Sequence, residues 1–191
     1  MNQKQSATSS LDLSGYEKSH AIKSIFQAAI HMDLPLAIWR LPHQKEINLM
    51  VSFSKVREIQ RPDLETSDKG FVFAPFDTES KATLFIKSDF HLSFDFNEVI
   101  QHKDISNSEG ALRSKFLKEV RRQINKGEEK LTYHIHDQAL IEADLEYKDL
   151  VALGVEAIKN NTLQKVVPAR SKTISLNSDF DLITKYLQLC D

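Results

Sequence analysis

The sequence predicts an α+β fold, an antiparallel sheet with flanking helices, and three observations carry that expectation. Apolar residues step by three and four near both ends of the chain, short apolar or alternating runs occupy Leu36 to Phe96, and these strand-like runs cluster instead of alternating with helices. Strands that cluster rather than alternate with helices argue against a doubly wound parallel sheet.

Residues 1–14 (MNQKQSATSSLDLS) are rich in Ser, Gln and Asn and predict a disordered polar tail. From Tyr16 to about Met32, Ile22, Ile25, Phe26, Ala29 and Ile30 fall on one helical face, and Pro35 follows the end. Leu36–Leu41 is a short apolar strand closed by Pro42-His43. In the next strand Ile47, Leu49, Val51 and Phe53 alternate with Asn48, Met50 and Ser52, predicting a hairpin with one buried face. Residues 54–69 are charged, contain Pro62 and predict an irregular connection, with a short helix as the alternative. Gly70–Phe76 is a third strand. Thr83–Lys87 and Phe90–Phe96 are two more, joined tightly at Ser88-Asp89, although that link lacks the Gly of a strong hairpin signal.

A polar loop is expected over Gln101–Gly110. Leu112, Phe116, Leu117, Val120 and Ile124 then form a helical stripe that Gly127 terminates. Tyr133–His136 predicts a short extended piece. A helix from about Asp144 to Asn160 is expected to present Tyr147, Leu150, Val151, Val155 and Ile158 to the core. A strand over roughly 164–176 and a last helix from Phe180 complete the expectation.

The charge balance, 25 basic against 27 acidic residues, gives no electrostatic basis for binding nucleic acid or an anionic membrane. The single cysteine, Cys190, excludes an internal disulfide framework. No apolar run reaches the length of a membrane span, and residues 1–14 lack the apolar region of a signal peptide. A cytoplasmic protein is expected.

The chemistry points to one stretch, Leu163-Gln164-Lys165-Val166-Val167-Pro168-Ala169-Arg170. A β-branched pair between two cations is unusual for a plain structural strand. In a strand Lys165 and Val167 share a face. If that face is buried, the ammonium needs a partner, a cavity or a depressed pKa. On spacing alone a solvated strand lysine is the simpler reading. Arg170 could orient a carboxylate, though a structural ion pair is favoured. Pro168 brings no N–H to a ladder and predicts an edge or a bulge.

The run Ala157-Ile158-Lys159-Asn160-Asn161-Thr162-Leu163-Gln164-Lys165-Val166-Val167-Pro168-Ala169-Arg170 resembles the A-I-x-x-G/N-x-L-x-K-V-V-x-A-R pattern of the chorismate-utilising enzymes, most closely the isochorismate synthases. In that family the members that use water carry Lys before Val-Val, and those that use ammonia, such as anthranilate synthase, carry Gln. Pro168 departs from the commoner Leu. The resemblance covers about Tyr147 to Leu187 most closely. It implies the N-terminal half of the chorismate-utilising fold, with residues 15–191 as the N-terminal portion of a chorismate-binding α+β domain.

The resemblance also implies an activity: an isomerase that converts chorismate to isochorismate with Mg²⁺ and water as nucleophile, serving menaquinone biosynthesis. Salicylate synthase is the nearest rival, since it shares the Lys. Water is a poor nucleophile and needs a base. A Lys serves only if its pKa falls well below roughly 10.4. Lys165 takes that role by resemblance. The general acid and the Mg²⁺ ligands are glutamates of the family's C-terminal half, and no Gly-Ser-x-Pro-Glu or Gly-Thr-Arg type segment occurs in this chain. The 191 residues alone are therefore expected to be inactive, and half of such a fold would favour self-association or a complementary C-terminal half.

Other residues carry weaker signals. His134 and His136 have a spacing compatible with a metal, but no third ligand is near, and a solvated pair is preferred. Arg113, Lys115, Lys118, Arg121 and Arg122 read as an ordinary solvated helix face, given Glu119, Glu128 and Glu129 close by. Phe71, Phe73 and Phe76 read as core. Cys190 has no identifiable base and is not expected to be a nucleophile.

Overall fold

A computed structural model describes residues 11–13, 15–60, 63, 65, 67–76, 81–95, 100–102, 110–127, 146–170, 176–177 and 180–190. It is an α+β chain of four helices and two antiparallel sheets among those residues. Two compact units form, one from Met1–Tyr133 with Asp181–Asp191, the other from His134–Phe180.

In the first unit, helix α1 (Lys18–His31) carries Ile22, Ile25, Phe26 and Ala29 at the expected three- and four-residue steps. It is covered on more than one side, since Ser24, Gln27 and Ala28 are buried as well. Helices α2 (Ala111–Lys126) and α4 (Leu182–Cys190) both pack on it. The helix ends in a Schellman turn: Asp33 takes φ 52°, its N–H donates to the Ile30 carbonyl at 3.0 Å, and the Leu34 N–H donates to that of Ala29 at 2.9 Å.

Strands β1 (Leu36–Arg40) and β2 (Ile47–Val51) form the expected hairpin, with Trp39 opposite Asn48. Strand β6 (Phe90–Phe94) pairs with β2, and β7 (Ile100–His102) pairs with β6, giving the order β1-β2-β6-β7. The second sheet, β3-β5-β4, comprises Arg57–Ile59, Thr83–Lys87 and Gly70–Phe73. Strands β3 and β7 lie where irregular chain was expected, because each is only three residues long and too short to show a period.

The tight link at Ser88-Asp89 is present, but it joins strands of different sheets rather than a hairpin. Asp89 explains the crossing. Its buried carboxylate accepts the Phe53 N–H at 2.8 Å and the Ser52 hydroxyl at 3.3 Å, while its own N–H donates to the Val51 carbonyl at 3.2 Å. The turn is thereby tied to the end of β2. Gly70 is required in β4 for another reason: a Cβ there would run into the Ile86 carbonyl and the Phe85 ring.

The core lies between the first sheet and the helices. Ile47, Leu49, Val51, Phe90, Leu92 and Phe94 face Ile22, Ile25, Phe116, Leu117 and Val120, all buried. Leu11 and Leu13 belong to the same core, which corrects the expectation of a loose tail for that part of residues 1–14. Two apolar side chains are enough to dock a short segment whose remaining composition is polar. Phe73 (65% exposed) and Phe76 (fully exposed) are not core residues, whereas Phe71 is half-buried against Trp39, ring centroids 5.3 Å apart.

The second unit holds helix α3 (Tyr147–Lys159), which buries no residue. Tyr147, Val151, Val155 and Ile158, expected in a core, are exposed there. The strand expected over 164–176 is not formed at residues 164–170, which pair with no other strand; residues 171–175 lie outside the described residues. A β-branched pair sets only a local preference, and a strand exists only where a partner strand takes its hydrogen bonds.

Candidate functional site

The second unit is where the sequence concentrates its chemistry, and it is built from one helix and the chain that leaves it. α3 closes with the same Schellman turn as α1. Asn161 takes φ 55°, its N–H donates to the Ile158 carbonyl at 3.0 Å, and the Thr162 N–H donates to that of Ala157 at 2.9 Å. Asn tolerates this left-handed conformation better than most residues. The turn sends the chain back along its own helix. Val166 lies against Gly154, and the Arg170 guanidinium carbon sits 5.4 Å from the centroid of the Tyr147 ring.

Of the helix residues, Leu150, Gly154 and Ala157 alone are partly covered. Their spacing of four and three makes a single stripe, the line along which the returning segment runs. Leu153 (53% exposed) and Val155 (45%) flank that line and stay open.

Lys165, the predicted base, is exposed and has no hydrogen bond or ion pair among the described residues. A lysine becomes a base through burial or a neighbouring cation, and residues 146–170 do not provide the burial. Arg170 has no ion pair among the described residues either; its partner is the Tyr147 ring, a cation–π contact. Arg170 and Tyr147 are thus brought together, though the sequence singled out only the former. The readable signals were a glycine inside a helical pattern and an aromatic residue two helical turns before it.

No three of the His, Cys, Asp and Glu side chains come together to hold a metal among the described residues, so they do not fit a Mg²⁺ site. His134 and His136 lie outside the described residues. The cationic face of α2 is a solvated helix face carrying Glu119–Arg122 ion pairing at 2.6 Å. Cys190 is buried in α4 beside Tyr186, whose phenol is pushed up by its own burial and by the thiol. No helix among the described residues is long and apolar enough to cross a membrane.

A second polar cluster went unread in the sequence. On the outer face of the first sheet His91 Nε2 lies 3.1 Å from Asn48 Oδ1, the Ser93 hydroxyl donates to Glu46 at 2.9 Å, and Trp39 stacks on His91 at 5.5 Å. Asn48 and Ser93 are buried. Their strands alternate cleanly, which suggests a wet outer face, and only the tertiary arrangement covers it.

Compared with protein-family models, with curated proteins and with solved structures, the chain gives no match.

Proposed function

We propose that the chain is the N-terminal, Lys165-bearing portion of an isochorismate synthase, an isomerase that uses water to convert chorismate to isochorismate with Mg²⁺ in menaquinone biosynthesis. The observation that carries the reading is the run from Ala157 to Arg170, with Lys before Val-Val. The local geometry of that run supports it: Asn161 occupies the pattern's Gly-or-Asn position and takes the positive φ that those two residues adopt most readily. Lys165 is the base in this reading. In this reading the general acid and the Mg²⁺ ligands are glutamates of the family's C-terminal half.

The test is chorismate turnover with Mg²⁺ and chromatography of the products. It uses the 191-residue chain and a longer version carrying the family's glutamate segments, each with and without Lys165→Ala. The longer version is expected to form isochorismate, and Lys165→Ala to slow it by about 10³-fold, the scale of a lost general base. A substituted protein that keeps its rate removes Lys165 from the role. Salicylate as the product would favour the salicylate synthase reading instead. Isochorismate from the 191-residue chain alone would mean that its site is completed within it or its oligomer.

The open apolar surface of α3 favours a second reading, a domain that acts by association with another copy or with a separate C-terminal half. Leu153, Val155 and Val167 are 53, 45 and 76% exposed. A helix of 13 residues with nothing buried gains little from its own propensity. Sedimentation across a concentration series should show mass above the monomer, reduced by Leu153→Glu. Monomers of both proteins throughout would dismiss self-association.

A further inference from the structure

We propose that Gly154 and Tyr147 are positioning residues for Lys165: Val166 seats on the bare backbone of Gly154 and Arg170 on the face of Tyr147, and these two anchors fix where the chain between Leu163 and Arg170 presents the lysine. The inference rests on the reading of Lys165 as the functional group of this unit.

Glycine inside a helix weakens it relative to alanine, so its presence at 154 needs a compensating reason. The returning chain supplies one. A Cβ at 154 would stand 2.9 Å from Val166 Cγ1, closer than real side-chain carbons approach. Gly154 is the middle member of the partly covered stripe, and Val166 lies directly against it. The second anchor lies two helical turns earlier, where Arg170 covers the Tyr147 ring at 5.4 Å. The spacings agree. Gly154 lies seven residue steps after Tyr147, about 10 Å of helix, and Arg170 four steps after Val166, at most about 13 Å of chain.

The Schellman turn at Asn161 sets the direction of return, the glycine sets its depth, and the ring sets the far end. Lys165 neighbours the residue that is seated and is itself exposed. A lysine on a free loop would sample many positions. One held next to a seated valine samples fewer, as a group that must meet a substrate atom requires.

The experiment reads Lys165 directly, without chorismate, so its result is separate from that of the turnover assay. The full chain is acylated with an amine-reactive acetyl ester. The rate at Lys165 is followed by mass spectrometry relative to exposed Lys55, with helix content monitored by circular dichroism. Gly154→Ala should change the Lys165 rate by about threefold or more, the lower end of what a direct contact pair produces. Val166→Ala in the same chain should return it to the wild-type value, because it removes the atom that the new Cβ meets. Tyr147→Phe keeps the ring and should behave as wild type, and Tyr147→Leu should not.

If Gly154 is merely an exposed helix glycine, Gly154→Ala raises the helix signal and leaves Lys165 unchanged, which overturns the proposal. A change that Val166→Ala fails to reverse overturns it equally. Should Gly154→Ala lose the helix signal altogether, recovery in the double variant supports the seat, and lack of recovery refutes it.

Discussion

Glu119 is held by several donors at once. Its Oε1 accepts from Arg122 at 2.6 Å and from Gln123 at 2.7 Å, and His31 Nδ1 lies 3.2 Å away. His31 ties the cluster to α1: its Nε2 lies 3.1 Å from the Gln27 amide nitrogen, and its Nδ1 lies 2.9 Å from the Gln123 amide nitrogen and 3.2 Å from an Arg122 guanidinium nitrogen. The hydrogen bond from Arg122 is the largest cause holding the Glu119 carboxyl down at about 2, against the cost of its burial. A carboxyl depressed by folding stabilises the fold above its unfolded pKa, near 4.5, and loses that contribution as pH falls through about 2. Glu119→Gln should therefore cost about 1 kcal/mol at neutral pH, and urea titrations near pH 2 should find the two proteins equal. Asp89 matters for a different reason. Asp89→Ala would leave the partly buried Phe53 N–H without its 2.8 Å acceptor, a loss of about 1 kcal/mol by thermal unfolding. Neither role could be read in the sequence, because Glu119 looks like any solvated helix residue and Asp89 like a turn aspartate until their distant partners are placed.

At the scale of elements, periodicity was a good guide wherever an apolar face had something to face. The helix carrying Ile22, Ile25 and Phe26 and the helix carrying Phe116, Leu117 and Val120 meet each other and the sheet, as their stripes require. Phe116 sits at the centre, with ring centroids 5.2 Å from Phe90 and 5.6 Å from Phe53. Phe116→Ala should cost about 3–5 kcal/mol in urea unfolding. The apolar stripe of α3 is as regular and buries nothing. A pattern states what an element can cover, and neighbours decide whether it is covered. The same holds for Val166 and Val167, whose strand preference meets no ladder. In the sequence Gly70 marks only the start of a strand, yet Gly70→Ala should disrupt β4 and its register of Phe71 against Ile86, seen as lost amide protection across that pair.

At the scale of the whole molecule, the division into two units has a measurable consequence. The amides of α3 should exchange with solvent far sooner than those of α1, and proteases should cut first within 146–170, because opening there exposes no buried core. Equal protection of the two helices would contradict this division. The α+β class, the hairpin of Leu36–Val51, both amphipathic helices of the core and the Ala157–Arg170 run follow from the sequence alone, since each depends on residues close together in the chain. The tertiary structure alone decided that Ser88-Asp89 crosses between sheets, that Leu11 and Leu13 are core, that Asn48 and Ser93 are covered, and that Lys165 follows a chain laid on Gly154 rather than a strand. Each of these depends on a partner far away in the chain or on a close approach of backbones, and local periodicity carries no information about either.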